Sequence, residues 1–157
     1  MIRDEIEDLI LLKQEGSYWD FKREWYLQEK KADLLHDIIC MANNVENKDA
    51  YIIMGVDEEN DYKISDIRLD SNRKNTQQIV DFLRDKKFVG GVRPMVYVQS
   101  ILIGSSMLDV VIIKNSFDTP FYISQMEMMK LLHTIALKSA CLFLIRWKKK
   151  RHLMILL

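Results

Sequence analysis

Glu15-Gly16-Ser17-Tyr18-Trp19-Asp20-Phe21-Lys22, followed by Ala50-Tyr51-Ile52-Ile53-Met54-Gly55-Val56-Asp57: the reading of these two stretches decides the fold. In the first, Trp19 and Phe21 alternate with Tyr18, Asp20 and Lys22. A period of two with one apolar face is a half-buried strand. The second is a continuous apolar run through Val56, the pattern of a central strand covered on both faces. Gly55 near its end allows close backbone approach. Each stretch sets acids at or beside a strand end, so the pair can bring Glu15, Asp20 and Asp57 into one cleft.

Outward from these strands the chain alternates helix and strand. Residues 4–12 carry Ile6, Leu9, Ile10 and Leu12 at helical spacing. Residues 31–44 read as a helix with Leu35, Ile38, Ile39 and Ala42 on its buried stripe, stopped by Asn43-Asn44. Residues 57–61 form a polar turn and residues 62–67 a return strand. Residues 75–85 give another helix, with Ile79, Phe82 and Leu83 inward. Residues 95–101 and 107–114 read as a hairpin joined by Gly104-Ser105-Ser106, and residues 121–124 begin one more strand. The order predicts an α+β domain with a mixed sheet and flanking helices.

At 157 residues and 48% hydrophobic content the chain fits one domain with a real core. No run of about eighteen apolar residues is available to span a membrane, and the acidic N-terminus Met1-Ile2-Arg3-Asp4-Glu5 is not a secretory signal. Cys40 and Cys141 make no disulfide framework. Cys40 falls in an apolar helical pattern and reads as a reduced core residue, which points to the cytoplasm. The net charge of zero hides a split. Residues 1–124 hold 16 basic against 22 acidic side chains, and residues 125–157 hold 7 against 1.

In order, Glu15-x4-Asp20-Phe21-Lys22, a helix ending Ala42-Asn43-Asn44, and the Tyr51 to Asp57 strand resemble the Schlafen AlbA-like domain, once called a divergent AAA ATPase domain. Gly91-Val92-Arg93-Pro94, the strand around Leu108-Asp109-Val110-Val111, and Asp118-Thr119-Pro120-Phe121-Tyr122 are similar to later family segments. The resemblance spans about residues 5–124. Two departures stand out. The family's Glu before Phe-Lys is Asp20 here, and its Gly-Gly before the central strand is replaced by Val45-Glu46-Asn47-Lys48-Asp49.

The resemblance implies nucleic-acid chemistry. In relatives that cut RNA, three acids of this pattern serve metal-assisted phosphodiester cleavage. By position they are Glu15, Asp20 and Asp57 here, with Glu58 as a substitute for Asp57. Mg2+ or Mn2+ would be the cofactor, because hard cations take carboxylate oxygens. Lys22 shares the strand face of Asp20 and can hold a phosphate or tune that carboxylate. Arg68, Arg73 and Lys74 flank the second long helix as phosphate contacts. Against this, acids at strand ends are common, residues 57–61 also read as a solvated turn, and His36 reads as structural. The charge of residues 1–124 opposes phosphate binding in bulk.

Residues 125–157 change character. Methionines crowd together, an apolar stretch follows, and Trp147-Lys148-Lys149-Lys150-Arg151-His152 adds a basic cluster. Shifting the reading frame by one base converts residues 125–130 into Asn-Gly-Asn-Asp-Glu under ordinary codon choices. The expectation is therefore a domain over residues 1–124 and a frameshifted tail over 125–157, with downstream sequence of the parent protein missing. The tail then implies no membrane partner.

The leading functional expectation is a nucleic-acid-binding module (DNA or RNA) of a bacterial-type transcriptional regulator, with self-association into a homo-oligomer left open. A divalent-metal nuclease acting through Glu15, Asp20 and Asp57 is the first alternative. ATP binding ranks third, since the chain has no GxxxxGK[ST] loop. An inert truncated remnant ranks last.

Overall fold

The computed structural model describes residues 2–124. The first helix, α1 (Ile2–Leu11), leads to strand β1 (Trp19–Lys22), helix α2 (Lys31–Ala42) and strand β2 (Ala50–Met54). Two short strands, β3 (Val56–Asp57) and β4 (Lys63–Ile64), precede helix α3 (Thr76–Arg84) and the hairpin β5 (Val96–Ile103) and β6 (Ser106–Ile113). The main sheet has the order β1-β2-β6-β5, and β3 and β4 make a separate two-stranded sheet. Strands β1 and β2 run parallel, with Asp20 opposite Ile52 and Lys22 opposite Met54; β6 is antiparallel to both of its neighbours. The mixed α+β architecture follows.

The alternation of β1 works as the sequence predicts. Trp19 and Phe21 enter a core with Ile6 and Leu9 of α1, Ile53, Val56, Leu108 and Val110. The opposite face of the sheet carries a second core: Leu34, Leu35, Ile38, Met41 and Ala42 of α2, Ile79 and Leu83 of α3, with Ile52, Met54, Val111 and Ile113. The sheet is thus a central layer with apolar residues on both faces, which accounts for the unbroken apolar run of β2. Helix α3 starts with a capping box in which Asn75 accepts from the Gln78 backbone and Gln78 accepts from the Asn75 backbone. Helix α2 ends at Asn43, whose side chain both donates to Phe121 O at 2.7 Å and accepts from Phe121 N at 2.6 Å. That pair pins residues 121–124 without a full strand. In place of the expected strand there is an isolated bridge, Phe88 to Ile123.

Three further expectations change. The strand predicted through Val56 breaks at Gly55, which adopts φ 102°, and restarts as β3 in the second sheet. A Cβ at Gly55 would lie 2.7 Å from Ser65 O, so only glycine allows this crossing. The return strand shrinks to Lys63–Ile64. Cys40 is half-buried rather than part of the core stripe, because it shares the flank of α2 with His36. The expectations for residues 125–157 lie outside the described residues. Among the described residues no helix is long and apolar enough to cross a membrane.

Candidate functional site

The loop after α1 places Glu15. Gly16 N–H donates to Trp19 O at 3.1 Å, and the Trp19 indole N–H donates to Gln14 O at 2.8 Å. A Cβ at Gly16 would fall 2.1 Å from the Trp19 ring, so glycine lets the loop lie flat on the indole. Strand β1 places Asp20, which is only 2% exposed. The turn that follows the Gly55 crossing, Glu58–Asn60, places Glu58.

Carboxylate oxygens of Glu15, Asp20 and Glu58 all lie within 4.8 Å of one another. Asp57 is not of this group. Its Oδ2 accepts from Asn60 Nδ2 at 2.7 Å and sits 3.7 Å from Arg23 Nε. These contacts, led by the Asn60 hydrogen bond, hold its carboxyl below the usual range. The sequence pattern places the third acid at Asp57 with Glu58 as its substitute; the structure brings Glu58, because the break at Gly55 takes residue 57 into another sheet.

Clustering has an electrostatic cost. Burial, then hydrogen bonds and negative charge from Asp20 and Glu58, push the Glu15 carboxyl up to about 9. Glu58 Oε1 is buried and accepts no hydrogen bond. Beside the cluster stands Lys22, whose ammonium donates to Asp20 Oδ2 at 2.6 Å and to Phe21 O at 3.1 Å. Burial alone would lower Lys22, but Asp20 and Asp37 outweigh it and raise it.

The trio fits a hard divalent cation. Opposite oxygens around Mg2+ are about 4.2 Å apart, twice a bond of about 2.1 Å. A spread of up to 4.8 Å needs only side-chain adjustment.

The basic candidates fare differently. Arg68 is tied to Asp66 by its Nε and Nη2 and donates to Ser105 O. Arg73 donates to both oxygens of Asp109, at 2.8 and 2.9 Å. Asp109 is 1% exposed and also takes the Trp25 indole N–H and the Ser100 hydroxyl. Arg73 is therefore a fastener of the fold. Lys74 donates to Asn72 O, lies over Trp25, and is lowered by burial and by Lys31 beside it. Arg23 was not singled out from sequence, yet its side chain is 68% exposed beside Asp57.

Residues 15–136 match the family model described as Schlafen, AlbA_2. None of the curated proteins compared matches the chain.

Proposed function

Since this chain belongs to the Schlafen AlbA_2 family, which is associated with nucleic-acid-related function, we propose that it is a divalent-metal-dependent phosphodiesterase acting on nucleic acid. The observation that carries this is the Glu15, Asp20 and Glu58 cluster. Three buried or half-buried carboxylates that repel one another are costly unless something positive joins them. Bound Mg2+ or Mn2+ would activate water and offset charge on the phosphate. The chain's part is to hold three oxygens in place, give up the Glu15 proton, and balance Asp20 with Lys22. Lys31 with Lys74, and the exposed Arg23, would meet a phosphate backbone; Arg68 and Arg73 are spent on Asp66 and Asp109.

One observation favours a second reading, nucleic-acid binding without cleavage. With Glu15 held protonated up to about 9, the cluster at neutral pH carries one charge fewer, which lessens the repulsion that a cation would relieve. A gel assay of single-stranded and duplex RNA and DNA with Mn2+ separates the two. The first reading predicts cleavage that Asp20→Ala and Glu58→Gln abolish and Asp57→Ala leaves within a few fold. Equal cleavage by all variants removes it, and retained binding with no cleavage leaves the second.

A further inference from the structure

Behind the acid cluster lies a second polar group that the proposed reaction does not use. Asp37, on α2, reaches the same Lys22 ammonium. Its Oδ2 accepts the Tyr26 hydroxyl at 2.5 Å and lies 3.8 Å from Lys22 Nζ; its Oδ1 is 3.0 Å from His36 Nδ1. The Lys22 ammonium is also 2.6 Å from Asp20 Oδ2. Lys22 therefore contacts two carboxylates. One belongs to the acid cluster, and the other is locked by groups from β1's exit and from α2.

We infer that Asp37, clamped by Tyr26, is a positioning residue for this site: it shares the Lys22 ammonium with Asp20 and so sets how strongly that ammonium opposes a cation at the acid cluster. The inference rests on the metal-centred reading above. Its physical basis is charge. An ammonium pressed on one carboxylate opposes a divalent cation at that carboxylate. A second carboxylate beside the ammonium cancels much of that opposition and fixes where the ammonium sits. The contact geometry supports this over a plain surface ion pair. Lys22 and Asp37 are only 22% and 20% exposed, and the short Tyr26 hydrogen bond leaves Asp37 little freedom to turn. Partners of this kind tune metal affinity by about tenfold to a hundredfold.

The test is a calorimetric Mn2+ titration of the full chain, beside thermal melting and binding of a fluorescent RNA in metal-free buffer. Asp37→Asn is expected to lose about tenfold or more in Mn2+ affinity, with melting midpoint and RNA binding kept. Asp37→Glu should recover most of the loss, and Tyr26→Phe should fall between. Asp37→Asn that melts normally and binds Mn2+ like the parent overturns the inference. Should Asp37→Asn not fold, Tyr26→Phe decides: unchanged Mn2+ affinity overturns it, and a weakened one supports it. A parent chain that binds no Mn2+ sinks the metal-centred reading and this inference together; a parent that binds beside an indifferent Asp37→Asn sinks this one alone.

Discussion

Two buried acids on the same sheet are treated in opposite ways. Asp109 of β6 receives Arg73 on both oxygens, the Trp25 indole and the Ser100 hydroxyl; although burial works against ionisation, these contacts hold its carboxyl below the usual range. Asp20 of β1 faces two more acids, and its neighbour Glu15 is driven up to about 9. Chain and sheet are common to both, so burial alone does not set the difference. The partners do. A charge surrounded by donors is a fastener, and charges surrounded by one another are held at a cost that a ligand can remove.

The widest gap should appear on breaking the fastener. Arg73→Ala leaves Asp109 buried without its cation and is expected to destabilise by about 3–5 kcal/mol in urea unfolding. A loss under about 1 kcal/mol would make the pair a surface ornament. Opposite in sign, Glu15→Gln should stabilise the metal-free protein by about 2 kcal/mol near pH 8, the figure being held down by solvent screening at its exposed edge. The pH dependence fixes the mechanism. Glu15 keeps its proton in the fold up to about 9 but releases it near 4.5 when unfolded. Between those values the folded chain binds more protons, so this group's contribution to stability falls as pH rises. The advantage of Glu15→Gln should grow from pH 5 to pH 8 and vanish below the unfolded value, as thermal melts across that window will read.

A neutral fastener ranks next. Asn43→Ala loses both hydrogen bonds to Phe121 and should cost about 1–2 kcal/mol, seen as faster amide exchange at Phe121 as well as a lower melting midpoint. Smallest of all is Arg68→Ala at the exposed Asp66 pair, which should move the midpoint by no more than about 1 degree.

Much of this was legible from residue order. The alternation of Trp19, Asp20, Phe21 and Lys22 and the apolar run of β2 follow from side-chain period; the stripe of α2 follows in part, with Leu35, Ile38 and Ala42 buried as expected, Ile39 only half-buried, and Leu34 and Met41 joining the core. Glu15 and Asp20 as neighbours also followed from the motif. The motif put Asp57 in the third place with Glu58 as its substitute; the choice between them depends on one backbone angle at Gly55, which glycine permits without announcing it. A glycine just before the acids is the available signal that alternation resets there. The pairing of Arg73 with Asp109 spans 36 residues and has no local signature, so Arg73 read as a surface cation. Tyr26 and Asp37 meet where the segment after β1 folds back on α2, a contact that residue spacing does not announce.

The most direct measurement is Mn2+ binding monitored by electron paramagnetic resonance, in the parent chain and in Asp20→Asn, Glu58→Gln and Asp57→Asn. The expected result is one saturable ion in the parent and in Asp57→Asn, and loss of that ion in the other two. Binding that survives in Glu58→Gln but disappears in Asp57→Asn would contradict the assignment of the third acid, and no saturable ion in any chain would contradict the metal centre itself.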